Sequence, residues 1–214
     1  MESPREFLYR EGMRRALRFC TVNKIPPPVF MTYDELHYPS RMQHTAALLQ
    51  KLKRIAPLVG AQTGLYRDGH VFVNLPVTAL PVRVPAMRSW SWPCYKTDRT
   101  AMGVVAHELG HYVEDILQKK KTLKSDVQGI QWRVLIEFTG RKPVSGYEPV
   151  PSEAWAESMR LFILNPDLLR LAIPARYNFI REFLKPSERR TWSEVLGPAH
   201  KSYFTAAERW IKES

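Results

Sequence analysis

Between Thr100 and Val113 the chain calls for a helix inside a core: Met102, Val104, Val105, Leu109 and Val113 recur at helical spacing. That helix nevertheless carries His107, Glu108 and His111. Positions 107 and 111 are four apart, so their imidazoles lie on one face, a turn apart, and can reach a single cation. Gly110 lies between them, and a glycine inside a helix costs about 1 kcal/mol relative to alanine. It makes sense if another backbone approaches the same face closely. The bland alternative, a surface helix with two incidental histidines, fits the apolar pattern poorly.

Zinc accepts such nitrogen ligands, and a catalytic zinc keeps a fourth position for water, whose pKa it lowers toward neutrality. Glu108, next to His107, can take that water's proton as general base. A third protein ligand is needed. The best source is the segment Ser152-Glu-Ala-Trp-Ala-Glu-Ser-Met-Arg-Leu-Phe, where Glu153 and Glu157 also fall on one helical face. One can bind the metal while the other orients an imidazole from behind. Glu153 would occupy the first turn of its helix, after Pro151 and Ser152, where the helix dipole favours a carboxylate. It is therefore assigned as the ligand, with Glu157 on the far nitrogen of His107 or His111.

His107-Glu-Leu-Gly-His111 and Glu153-Ala-Trp-Ala-Glu157 together resemble the gluzincin metallopeptidases, with their H-E-x-x-H helix and a second E-x-x-x-D helix. The chain departs from that pattern at Glu157, where the family has Asp. Val71-Phe72-Val73-Asn74-Leu75 looks like the edge strand that in zincins pairs with an extended substrate, a form of β-augmentation. Within that clan, Val104 to Tyr112 and Ala156 to Pro166 are similar to the compact bacterial and phage IrrE/ImmA-like peptidases. The resemblance covers about residues 70 to 166. It implies one zinc per chain held by His107, His111 and Glu153, peptide-bond hydrolysis with Glu108 as base, and a setting in a phage or prophage. Members of that group act on DNA-bound regulators.

Around this segment, Pro4 to Thr21 reads as an amphipathic helix and Val29 to Tyr33 as a short strand. Ser40 to Ile55 reads as a second helix. Leu58–Leu65 and His70–Leu75 form a plausible hairpin across Tyr66-Arg67-Asp68-Gly69. Pro76 to Pro93 reads as a long loop containing Trp90 and Trp92. The segment from Ser125 to Thr139 is helix or buried strand. After the turn-rich stretch to Pro151, helical stretches follow at Ser152–Leu164, Pro166–Leu184 with a break at Pro174, Ser187–Leu196 and Ala199–Ile211. The expected fold is α+β and zincin-like: a small, mostly antiparallel sheet packed on the His107/His111 helix, with a helical C-terminal half. One domain is expected over residues 1–214, with an N-terminal region at 1–56, the core at 57–166 and a helical extension at 167–214.

Lys and Arg outnumber Asp and Glu by 32 to 21, a formal charge of +11, which favours nucleic acid or an acidic protein partner beside a peptide substrate. The basic residues are scattered, with Lys119-Lys120-Lys121 and Arg189-Arg190 the densest points. Two cysteines, Cys20 and Cys94, imply no disulfide framework, and neither a secretory signal nor a membrane span is read, so a cytoplasmic protein is expected. Tyr112, Tyr147, Tyr177, Tyr203, Arg176 and His200 are candidate donors to a developing oxyanion. The second functional reading is a catalytically silent zincin-like protein that keeps zinc for structure and acts on nucleic acid or in a virion.

Overall fold

The computed structural model describes residues 2–37, 63–78, 99–119, 150–166, 169–170 and 173–187. The expected helix at Ser40–Ile55, most of the Pro76–Pro93 loop, Cys94, the Ser125–Thr139 segment and the helices after Ser187 lie outside these residues.

The first helix, α1, runs Pro4–Asn23. Its start is fixed by a capping box: the Glu6 N–H donates to Ser3 Oγ and the Ser3 N–H donates to the Glu6 carboxylate at 2.6 Å. Pro4 suits the first turn, where its missing N–H is not needed. Strand β1 (Val29–Thr32) and a single helical turn, α2 (Tyr33–His37), follow. Next come β2 (Gly64–Arg67) and β3 (His70–Val73), joined by Asp68 and Gly69 at φ 50° and 80°. Positive φ at both central residues is what a tight hairpin turn requires, and Asp-Gly tolerates it. The turn therefore occupies two residues rather than four, and β2 extends two residues past Leu65.

The sheet order is β1-β3-β2. β2 pairs antiparallel with β3, but β1 pairs parallel with it, Val29 opposite His70 and Thr32 opposite Val73. The fold is α+β as expected, whereas the sheet is mixed rather than mostly antiparallel. β3 is the central strand, which corrects the expectation that Val71–Leu75 forms an edge. The reason lies in burial: Val71, Phe72 and Val73 are all fully covered, so both faces of β3 are inside, as suits a strand with neighbours on both sides. Among the described residues β1 and β2 form the two edges.

Helix α3 (Ala101–Lys119) is the hub. Thr100 starts it, its hydroxyl accepting from the Gly103 N–H at 3.3 Å. It packs against β2, β3, α1 and α4 (Pro151–Leu164). Leu8, Ala16, Phe19 and Cys20 from α1 join Val71, Val73, Val105, Leu109, Val113, Met159 and Phe162 in one buried cluster. β2 is tied to α3 at Tyr66, whose hydroxyl donates to Asp115 Oδ2 at 2.6 Å while its ring meets Tyr112 edge-on. Pro174 begins α5 (Pro174–Arg181), so the break expected there is a helix start. No helix among the described residues is long and apolar enough to cross a membrane.

Candidate metal centre

Two helices supply the centre, and they meet at Gly110. A β-carbon there would lie 2.8 Å from Ala156 Cα and 3.0 Å from Met159 Cβ, so only a glycine lets α4 come this close. Trp155 fixes the crossing by donating its indole N–H to the Gly110 carbonyl at 3.0 Å. The close backbone approach expected from Gly110 is thus made by α4, which carries Glu153 and Glu157 on its face toward α3.

Across the crossing, Glu153 Oε2 lies 3.0 Å from His107 Nε2 and 3.5 Å from His111 Nε2. The imidazole centroids are 5.0 Å apart with their planes at 79°. One donor atom from each of His107, His111 and Glu153 lies within 4.8 Å of the others, so the three could hold a metal ion. Glu157 occupies a different place, its Oε1 2.7 Å from His107 Nδ1. Glu153 thus faces both inner nitrogens, and Glu157 takes the outer nitrogen of His107.

Sequence reasoning did not find what stands behind these residues. Arg160, one turn beyond Glu157 and equally buried, grips its carboxylate through Nε at 3.2 Å and Nη2 at 3.1 Å. On the other side, Ser152 Oγ lies 3.3 Å from His111 Nδ1 and donates to Glu114 Oε2 at 2.6 Å. Ser152, before Glu153, and Glu114, three after His111, were legible only as neighbours of the motifs.

The charges follow from this wiring. Burial favours protonated Glu157, but the Arg160 charge and the His107 hydrogen bond hold it well below the usual carboxylate range. Glu153 is likewise pushed up by burial, and the two histidines bring it down to about 2. Burial opposes a charged His107, yet its hydrogen bonds to Glu153 and Glu157 raise its pKa to about 10. Glu108 behaves differently. Burial raises its pKa, the histidines counter in part, the nearby Glu153 adds to the rise, and a hydrogen bond from the Tyr66 backbone N–H in β2 opposes it. Gly64 makes room for this carboxylate: a β-carbon there would collide with Val104 Cγ1 and fall 2.8 Å from Glu108 Oε1.

No family model, curated protein or solved structure matches this chain. The site therefore stands on its own geometry.

Two of the candidate oxyanion donors are used elsewhere: the Tyr112 hydroxyl donates to the Pro26 carbonyl at 2.6 Å, and Arg176 is buried with a hydrogen bond to Ser158 Oγ. The Tyr177 ring packs on Phe162. Tyr147, Tyr203 and His200 lie outside the described residues. Lys119 is paired with Asp115 at 2.7 Å.

Proposed function

We propose that the chain is a zinc-dependent peptidase with a zincin-like core, in which His107, His111 and Glu153 hold the metal and Glu108 is the general base. The observation that carries this reading is the convergence of two imidazole Nε2 atoms on one carboxylate, beside a buried glutamate of raised pKa. The donor set suits zinc, since donors around one tetrahedral zinc sit roughly 3.4 Å apart. The two separations to Glu153, 3.0 and 3.5 Å, bracket that value, and all three donor atoms lie within 4.8 Å of one another. Zinc bound there would polarise a peptide carbonyl and lower the pKa of a coordinated water.

The chain's own residues do the rest. Glu157 accepts from His107 Nδ1, which turns the Nε2 lone pair inward. Glu108 can take a proton at a carboxylate oxygen and return it to a leaving amine, since its raised pKa brings it nearer neutrality than an exposed glutamate. The Tyr66 N–H and the space at Gly64 hold that carboxylate beside β2. An extended substrate would lie along the outer edge of β2, not of β3, because β2 is the strand that touches Glu108.

Glu108→Gln tests the reading. The amide keeps shape but cannot take the proton, so metal content and melting temperature should hold while hydrolysis falls by at least about 100-fold. Cleaved N-termini in a proteome treated with wild type or variant give the measurement. Equal cleavage by the two proteins would remove Glu108 from the chemistry.

A further inference from the structure

Both imidazoles need their outer nitrogen occupied if the inner one is to face a metal. His107 has Glu157. For His111 the partner is a hydroxyl, and a hydroxyl carries one proton that can point only one way. At 2.6 Å from Glu114 Oε2, the Ser152 hydroxyl proton goes to that carboxylate. Its oxygen then faces His111 Nδ1 at 3.3 Å with lone pairs alone, so it can only accept. Ser152 is not capping its own helix, whose N-cap is Val150 with no side-chain hydrogen bond.

We propose that Ser152 and Glu114 are positioning residues for His111. By claiming the hydroxyl proton, Glu114 makes Ser152 an obligate acceptor. This keeps the His111 proton on Nδ1 and leaves Nε2 bare toward Glu153. Without Glu114 the hydroxyl could donate to Nδ1 instead, moving the imidazole proton to Nε2, the atom that must bind the metal. The relay also joins the helices a second time, since Glu114 and His111 belong to α3 and Ser152 to α4.

This inference rests on the zinc reading, and its test keeps the two apart. Zinc affinity would be measured by chelator competition for wild type, Ser152→Ala, Ser152→Thr, Glu114→Leu and Glu114→Gln. In parallel, proton NMR of the zinc-loaded, ¹⁵N-histidine-labelled protein would follow the downfield His111 Nδ1–H resonance. Ser152→Ala and Glu114→Leu should each weaken zinc binding by about 10-fold or more. In Ser152→Ala the resonance should broaden by exchange with water. Ser152→Thr restores the hydroxyl and Glu114→Gln restores an acceptor, so both should recover most of the affinity. If Ser152→Ala and Glu114→Leu bind zinc within about twofold of a zinc-binding wild type and the resonance stays sharp, the positioning role is wrong and the metal site stands. If wild type itself takes up no zinc, the metal reading falls and the positioning role falls with it.

Discussion

Gly110→Ala should destabilise this protein although alanine is the better helix former. In an exposed helix interior the change would gain about 1 kcal/mol. Here the new methyl would lie 2.8 Å from Ala156 Cα and 3.2 Å from the Ala156 carbonyl oxygen, where carbon contacts relax only near ~3.5–4.0 Å. The neighbouring atoms are backbone, so α3 and α4 must part by roughly 0.5–1 Å. Overpacking of this kind costs about 1–3 kcal/mol. Set against the propensity gain, a net loss of roughly 0–2 kcal/mol is expected, lowering Tm by up to several degrees in a chain of this length. Parting the helices also strains the Trp155 bond to the Gly110 carbonyl and draws Glu153 from the two histidines. Zinc affinity should therefore fall further than stability, by 10-fold or more. Thermal denaturation of the metal-free protein and chelator competition read the two effects separately. A Gly110→Ala protein that melts a few degrees higher and binds zinc normally would refute the close crossing of α3 and α4.

Glu153→Ala should abolish stoichiometric zinc yet leave a folded protein by circular dichroism, because Glu153 is partly exposed and buried His107 keeps its hydrogen bond to Glu157. Glu157→Ala should retain weakened zinc binding but lose about 3–5 kcal/mol of stability in chemical denaturation, since it strips buried Arg160 of its carboxylate. If Glu157→Ala empties the site and Glu153→Ala leaves it filled, the two assignments are reversed. The metal-free protein should show two stability limits: His107, with its pKa raised from 6.5 to about 10, stabilises fully below 6.5 and loses that contribution as pH rises through about 10. Glu153, lowered from 4.5 to about 2, stabilises above 4.5 and loses its contribution as pH falls through about 2, so urea midpoints should be highest between those limits. Because zinc must displace the His107 proton, its affinity should rise by about 10-fold per pH unit below the His107 pKa, and a flat profile over pH 6–8 would contradict the His107–Glu153 pairing.

What was legible in the sequence tracked local signals. α1 could be placed from its apolar spacing and from Pro4, and the helix of His107 and His111 from the run Met102 to Val113, because each pattern is complete within one element. The hairpin turn was legible in Asp68-Gly69, although its two-residue form was not. Pairing was harder. β1 lies beside β3 across a long stretch of chain, and an apolar run such as Val71–Val73 reports burial without naming its neighbours, so the sequence does not tell this central strand from an edge. Within the site, the sequence distinguishes Glu153 from Glu157 by their positions along one helix, and it is on that ground that the two are given different roles. Arg160, Ser152 and Glu114 could not be assigned, since their roles depend on how α3 crosses α4. Only the crossing brings Ser152 to His111 and leaves Arg160 behind Glu157.

The most direct test of the account is the metal itself. Protein purified without added metal, or stripped and reloaded, would be analysed by elemental analysis and zinc X-ray absorption. The account predicts about one zinc per chain, with two imidazole nitrogens, carboxylate oxygen from Glu153 and one further oxygen that no protein residue supplies. The count should fall to near zero in His107→Ala. Absence of any stoichiometric transition metal after reloading would contradict the central claim, and a zinc closed by four protein ligands would contradict its catalytic part.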